Sequence, residues 1–260
     1  MGAGSRPGPR GVDPDAEGID AGTLALVRMP DPAGTSTTHQ SSLLPAWPDE
    51  VLSGGVPYAV GQASVVRIPI PGTQGLCIEL RPRGWVPPKG STSTLFFQDI
   101  KGGRHLRLDY GYNVTTRTID YHWNQKGTFD TFGIPDHAPA GANAAAAYRG
   151  AKYFRAAGRL LLIAGVAIDI VSIVRASQPI RRASQVVADW AGAWAGCELV
   201  GAGGAALGSL GTPIGTAIGG IGGCIIGGVG GYMGGEAVGG MVYDWAEDTV
   251  FQPLPEASGP

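Results

Sequence analysis

Eight glycines recur at every fourth position near the carboxyl end of this chain, and seven of them lie inside a stretch without charge from Leu199 to Gly235. A glycine in a water-exposed helix costs about 1 kcal/mol relative to alanine, so a soluble helix of this composition would unravel without further support. In hydrocarbon the backbone stays helical because an unmade hydrogen bond is too costly, and a ridge without side chains lets two helices approach closely. The pattern therefore predicts helices packed within a bilayer. The packing glycines are Gly211, Gly215, Gly219, Gly223, Gly227, Gly231, Gly235 and Gly239.

The geometry of this ridge predicts a hairpin rather than one span. A continuous helix over the repeat would be about 42 Å long, more than the roughly 30 Å of a hydrocarbon core. A four-residue repeat also drifts by about 40° per step, so the ridge must wrap around its helix or be interrupted. Because Gly-Thr-Pro at 211–213 favours an interruption, we expect arms over 199–210 and 214–232 that cross in the right-handed sense. The isoleucines expected to face lipid are Ile214, Ile218, Ile221, Ile225 and Ile226.

Composition divides the 260 residues into four parts. Residues 1–55 contain too much proline and glycine for regular structure and are predicted to be a disordered leader or linker. Residues 56–137 contain strand-like runs separated by turn clusters, which predicts a β-rich module, and 138–253 form a helical membrane region before a tail over 254–260. The expected fold class is α+β, a small antiparallel β-rich module followed by an all-α glycine-zipper region. The predicted strands are 64–70, 76–80, 94–99, 104–110 and 117–123.

The segment before the glycine ridge combines a basic helix with an apolar run. Four basic residues fall near one helical face, which predicts a helix that lies on an anionic surface. The apolar run over 160–174 contains Asp169 as its one charged residue. Its fifteen residues are fewer than the roughly 20 that cross a bilayer. The four basic residues are Arg149, Lys152, Arg155 and Arg159.

Charge, cysteine content and motifs exclude several classes of protein. The formal net charge of −2 offers no concentrated basic surface, so no nucleic-acid partner is expected unless the chain is an enzyme that acts on one. Cys77, Cys197 and Cys224 are far apart and odd in number, which predicts buried small side chains rather than disulfides or a zinc site. The first thirty residues contain no apolar run typical of a secretory signal. No glycine-rich nucleotide-binding pattern occurs in a suitable context, so no cofactor is expected.

The predicted hairpin of strands 104–110 and 117–124 collects polar side chains on one face. Strand alternation places His105 and Asp109 on the same side as Asp120 and His122, and His137 follows closely. A carboxylate fixes the tautomer of a neighbouring histidine, and such a pair is capable of cleaving an ester or phosphodiester, with Arg107 stabilising negative charge. A half-buried sheet has a polar face without any catalysis as well. The spacing matches no metal-binding motif, so no metal site is expected. The candidate catalytic residues are His105, Asp109, Asp120, His122 and His137.

The stretch from about Gly102 to Pro253 resembles the C-terminal regions of bacterial polymorphic toxins, including effectors delivered by type VI secretion or carried on rearrangement-hotspot proteins. The matching pieces are HLRLDYGYN, TIDYHWNQKGTF, FGIPDH, AGRLLLIAGVAIDIVSIV, VVADWAGAWAGCELVGAGGAALG and IGTAIGGIGGCIIGGVGGY. The resemblance implies antagonism between cells and a cognate immunity protein, and it leaves the lethal chemistry open.

Three functions are compatible with these patterns. We expect an antibacterial effector toxin, secreted into a target cell, whose glycine-zipper helices enter the inner membrane and permeabilise it as a homo-oligomer. The first alternative is an enzymatic toxin that uses the histidine and aspartate face to hydrolyse a nucleic acid or other substrate, with the helices serving delivery. The second alternative is a membrane anchor without toxic activity.

Overall fold

The computed structural model describes residues 53–81 and 90–250, which belong to one compact unit, Pro48–Pro260. The described helices are α1 (Gly55–Val65), α2 (Phe129–Phe132), α3 (Ala144–Arg175), α4 (Pro179–Gly208) and α5 (Pro213–Val250). The described strands are β1 (Ile68–Pro69), β2 (Cys77–Leu80), β3 (Ser91–Gln98), β4 (His105–Asn113), β5 (Thr118–Lys126) and β6 (Ala138–Pro139). The predicted tail and all but the last three residues of the predicted leader lie outside the described residues.

The six strands form one antiparallel sheet in sequence order, from β1 at one edge to β6 at the other. Each strand pairs with the next, because the connections contain the turn-forming residues that hairpins require. The sheet is followed by long helices, which confirms the predicted α+β class. β4 extends three residues further into the connecting turn than predicted, to Asn113, which pairs with Thr118 at the start of β5.

The predicted strand over 64–70 is largely wrong. Residues up to Val65 belong to α1, and β1 keeps only Ile68 and Pro69. Small residues on α1 pack closely against α3 and α5, so tertiary contacts outweigh the β propensity of the two valines. A helix therefore precedes the sheet and occupies the start of the predicted β-rich module.

The hydrophobic core lies between one face of the sheet and the long helices. Ile78, Phe97, Leu106 and Leu108 contribute fully buried side chains from four neighbouring positions of the sheet. Alanines of α4 and α5 and the start of α3 complete the same cluster. Alternation along β4 places these apolar side chains on the helix side and its charged side chains on the other face.

α4 and α5 form the predicted helical hairpin. Their connection covers residues 209–212, which confirms the turn expected at Gly-Thr-Pro. Both arms continue far beyond the predicted ends, because the 30 residues of α4 and the 38 of α5 correspond to about 45 and 57 Å. α3 is likewise one continuous helix of 32 residues, or about 48 Å.

Cys197 and Cys224 form a disulfide that joins α4 to α5. The expectation that the cysteines would not be paired is wrong for these two, and Cys77 alone remains free. The Cα atoms of the bridged residues are 3.7 Å apart, a separation that neighbouring glycines allow because they let the two backbones touch. A spacing of 27 residues carries no pairing signal by itself, since the pairing depends on the register between two helices.

Candidate functional site

The interface between α4 and α5 is made of backbone rather than side chains. Seven of the predicted packing glycines, at every fourth position from Gly215 to Gly239, lie on α5 and face α4. Gly219 meets the carbonyl group of Gly204, and Gly227 meets that of Gly196. A Cβ atom at any of the seven would come closer than 3.0 Å to an atom of α4. The interface therefore depends on glycine on both helices.

The ridge stays in contact with α4 along one unbroken helix. The expected interruption at Gly-Thr-Pro removes only Gly211 from the ridge, because Gly211 lies in the turn, where a Cβ would meet nothing within 4 Å. The other seven positions keep the same partner from Gly215 to Gly239. The two helices must therefore coil around each other to compensate for the drift.

α1 packs against α3 in the same close manner. A Cβ at Gly61 would overlap the backbone of Leu162, and a Cβ at Gly158 would overlap Ser64. Sequence reasoning missed this helix because Pro57 and the surrounding glycines are typical of a loop. The signal that was available is a four-residue spacing of small residues, all of them buried. These residues are Gly55, Ala59 and Ala63.

Asp169 connects four helices through one buried carboxylate. Its Oδ1 accepts hydrogen bonds from the backbone N–H of Gly54 at 2.8 Å and from the hydroxyl of Tyr232 at 2.6 Å. Its Oδ2 accepts a hydrogen bond from the indole N–H of Trp190 at 2.7 Å. Asp169 belongs to α3, and its partners lie at the start of α1 and on α5 and α4. The single charge of the apolar run thus serves as the polar centre of the helix assembly.

Charged groups meet at the end of the hairpin that is opposite the turn. Arg182 donates to the Ser172 hydroxyl at 3.1 Å and to Glu236 at 3.0 Å. Asp189 lies beside them, is fully buried, and has no hydrogen-bond partner for either oxygen. Desolvation, assisted by the charges of Glu236 and Asp169 and opposed by Arg182, raises the pKa of Asp189 to about 7.

In the part of the chain that the structure describes, two helices are long and apolar enough to cross a membrane, Ala144–Arg175 and Pro213–Val250. Only 22% and 33% of the residues in their apolar windows are buried within the protein. Leu160, Ile163 and Val174 of α3 are between 67% and 76% exposed. Several large apolar side chains of these helices are therefore exposed in the folded protein, whereas a core helix of a soluble domain buries such side chains.

The isoleucines expected to face lipid divide into two groups. Ile218 and Ile226 are 69% and 71% exposed. Ile214, Ile221 and Ile225 are half-buried and pack against the edge of the core. The second group therefore faces the rest of the protein rather than its surroundings.

Two histidine–aspartate pairs meet beside the polar face of the sheet. His122 is fully buried, and its Nδ1 lies 3.0 Å from Asp120 Oδ1. The Nε2 of His137 lies 3.4 Å from Asp136 Oδ2, and the two imidazole rings are 5.5 Å apart between centroids. The other nitrogen of each ring, Nε2 of His122 and Nδ1 of His137, is buried without a hydrogen-bond partner. Each imidazole is thus oriented by a carboxylate and keeps one nitrogen unpaired.

Asp109 lies opposite His122 in the β4–β5 register. It accepts hydrogen bonds from the Ser93 hydroxyl at 2.5 Å and from Arg107 at 3.1 Å. Desolvation raises the pKa of Asp109 from its ordinary value, although Ser93 and Arg107 act to lower it. Desolvation also acts to raise the pKa of Asp120, but hydrogen bonds from its neighbours, Thr116 first among them, lower it overall. The two carboxylates beside His122 therefore differ in their affinity for a proton.

His105 does not join this cluster. It lies on the predicted face of β4 but pairs with Lys126, four residues and about 13 Å along the strand from Asp109. His122 and Asp109 are fully buried, and the His137 side chain is 23% exposed. Among residues 53–81 and 90–250, no three histidine, cysteine, aspartate or glutamate side chains are grouped so that they could hold a metal ion.

Comparisons with protein-family models, with curated proteins and with solved structures find no match to this chain. The resemblance to polymorphic toxins therefore rests on the sequence pieces quoted above.

Proposed function

We propose that this chain is an antibacterial effector toxin that inserts its glycine-zipper helices into the inner membrane of a target cell and permeabilises it. The observation that carries the proposal is the uncovered apolar surface of α3 and α5 in the folded protein. A soluble domain gains stability by burying such surface, at about 25 cal/mol per Å². Here a lipid phase is the partner that would cover it.

The backbone contact between α4 and α5 suits a hairpin that transfers into lipid as a unit. Helix pairs held by the hydrophobic effect lose that driving force in hydrocarbon, whereas small-residue interfaces keep their van der Waals contacts there. The disulfide between Cys197 and Cys224 joins the same two helices covalently. One hairpin cannot enclose a pore, so permeabilisation requires several copies of the chain. The membrane segments we propose lie in α3 and in the hairpin of α4 and α5.

The toxic role rests on the resemblance to polymorphic toxins. It implies that the producing cell has a secretion machine and a cognate immunity protein. A membrane anchor without toxic activity is the contrasting outcome. It predicts that a bacterium expressing the chain without an immunity partner grows normally, whereas a permeabilising effector arrests growth and collapses the membrane potential.

Dye release from liposomes tests the role of the glycine interface. Replacing Gly219, Gly223 and Gly227 with leucine forces side chains into α4, and we expect release to fall at least tenfold. A matched variant replaces with leucine three glycines of the same helix at which an added Cβ would meet no atom within 4 Å. This variant should release dye at the rate of the parent protein. Equal release by the two variants would exclude the interface from the activity. The glycines of the matched variant are Gly222, Gly230 and Gly234.

A second candidate function is favoured by the two carboxylate-oriented histidines. Unpaired ring nitrogens held by neighbouring carboxylates are the arrangement that general acid–base catalysis uses. In an enzymatic toxin the pair would hydrolyse a nucleic acid or another ester, and the helices would serve delivery. Replacing His122 with alanine separates the two functions. Loss of toxicity with intact depolarisation favours the enzyme, and retained toxicity favours permeabilisation.

A further inference from the structure

α3 has one buried face and one exposed face. Gly158, Gly165 and Asp169 are buried and lie within about 40° of one another around the helix, at about 100° per residue. The opposite face is exposed, first cationic and then apolar along the chain. We call this exposed face the docking face; its residues are Arg149, Lys152, Tyr153, Arg159, Leu160, Ile163, Ile170 and Val174.

We propose that the folded protein docks on an anionic phospholipid bilayer through the docking face, with α3 lying along the membrane surface. The proposal rests on the proposed membrane function and adds the class of lipid and the surface that meets it first. Docking in this orientation precedes the entry of the α4–α5 hairpin into the bilayer.

The cations of the docking face have no acidic partner in the described part of the chain. Among residues 53–81 and 90–250, no carboxylate forms an ion pair with Arg149, Lys152 or Arg159. The one acidic residue of α3, Asp169, lies on the buried face. A local positive surface is therefore present on a chain whose formal net charge is −2, and anionic headgroups are attracted to such a surface.

The structure removes one of the four predicted basic residues from this surface. Arg155 lies about 40° beyond Arg159 around the helix, toward the buried face. It is half-buried, and its guanidinium donates a hydrogen bond to the carbonyl oxygen of Ser64 at 2.6 Å. Arg155 therefore stabilises the end of α1, and three cations rather than four are available to headgroups.

The apolar half of the docking face favours a bilayer over a nucleic acid as the anionic partner. A phosphate backbone binds cations but offers no hydrocarbon to Leu160, Ile163 and Val174. A helix at a membrane interface places its cations among the headgroups and its apolar side chains about 5–10 Å into the acyl boundary. Tyr153, which is 65% exposed between two of the cations, is a residue type enriched at this boundary.

Co-sedimentation of the full-length protein with vesicles tests the docking step. We expect binding to vesicles of phosphatidylcholine mixed with phosphatidylglycerol and much weaker binding to phosphatidylcholine alone. Each cation near an anionic surface contributes roughly fivefold to affinity, so replacing all three should weaken binding to the anionic vesicles by about tenfold or more. The substitutions of this α3 variant are Arg149→Gln, Lys152→Gln and Arg159→Gln.

A matched variant removes the same number of positive charges from exposed positions of the sheet. The sheet packs on the buried side of α3, through Tyr148 and Phe154 among others, so these positions are not on the docking face. The two variants have the same net charge, and only the location of the lost cations differs. The matched variant should bind anionic vesicles as the parent protein does. Its substitutions are Lys101→Gln, Arg117→Gln and Lys126→Gln.

A fluorescent label tests whether the apolar half of the docking face enters lipid. Ile163→Cys combined with Cys77→Ser provides one reactive thiol, because Cys197 and Cys224 are bridged. An environment-sensitive dye on this thiol should shift to shorter wavelength on anionic vesicles and be quenched by brominated acyl chains. The same dye attached at Lys101→Cys should do neither.

Equal binding to neutral and anionic vesicles, equal effects of the two triple variants, or a dye at position 163 that stays in water would overturn the proposal. Binding to double-stranded DNA without binding to vesicles would overturn it as well. Docking and permeabilisation fail separately. Binding that depends on the three cations but releases no dye from the vesicles supports docking and refutes permeabilisation. Release by the α3 variant at the rate of the parent protein refutes docking alone.

Discussion

Gly227→Ala and Gly230→Ala make the same chemical change three residues apart on α5, yet we expect only Gly230→Ala to raise the stability of the protein. A Cβ at Gly227 would lie 2.6 Å from the Cβ of Val200 and 2.7 Å from the carbonyl carbon of Gly196. A Cβ at Gly230 would meet nothing within 4 Å. The first methyl group enters the interface with α4, and the second points away from the protein.

The expected magnitudes follow from these distances. Carbon atoms pack at about 3.5–4 Å, so α4 and α5 must separate by roughly 1 Å to accept the methyl group at Gly227. Overpacking of this kind costs about 1–3 kcal/mol. Both variants also gain about 1 kcal/mol because alanine favours the helix over glycine. Gly230→Ala should therefore stabilise the protein by about 1 kcal/mol, and Gly227→Ala should be less stable than Gly230→Ala by about 1–3 kcal/mol.

Thermal unfolding followed by far-UV circular dichroism measures this difference. For a chain of this size 1 kcal/mol corresponds to about 2–4 °C in Tm, so Gly230→Ala should raise Tm by that amount. The two variants share the propensity gain, and the difference between their Tm values isolates the contact with α4. Equal Tm values for the two variants would refute the assignment of Gly227 to the helix interface.

Three further predictions concern buried groups of the helix assembly. Because the pKa of Asp189 is raised to about 7 in the folded protein, the free energy of unfolding should decrease as the pH rises from about 4 to 7. Asp189→Asn should remove this dependence and flatten Tm between pH 5 and 8. An unchanged pH dependence of Tm in that variant would contradict the assignment. Reduction of the Cys197–Cys224 bridge, with a sequence separation of 27, should lower the free energy of unfolding by about 3.5 kcal/mol, and a urea midpoint unaffected by reductant would refute this. Asp169→Leu leaves three donors unpaired in the interior, so it should lower the free energy of unfolding in urea by about 3 kcal/mol or more. Asp169→Asn should lower it by less. Equal losses of stability would show that hydrogen bonding at this position is unimportant.

Local periodicity was sufficient to predict the faces of the central strands. Alternation along β4 and β5 placed Asp109 and His122 on one side, and the structure pairs these two residues directly. The position of His137 was not predictable in the same way, because a loop returns it to within 5.5 Å of the His122 ring. A residue in a loop follows no period, so its neighbours depend on the path of the chain.

The helical hairpin was predictable for a related reason. Gly-Thr-Pro interrupts a helix wherever it occurs in such a run, and the turn lies where that rule places it. The lengths of the arms were not predictable from apolarity alone. α4 begins near charged residues such as Arg181, which forms a bidentate ion pair with Asp244 on α5 at 2.9 Å. Contacts between the two arms thus extend the hairpin beyond the uncharged stretch.

Fold class, strand faces and the hairpin turn follow from the order of residues, since each depends on neighbours within a few positions along the chain. The tertiary structure alone decided that Cys197 meets Cys224 and that Asp169 accepts a hydrogen bond from Gly54, 115 residues away in sequence. These contacts depend on how whole helices are rotated and aligned against one another. That alignment is set by the summed packing of all the elements, which no local pattern encodes.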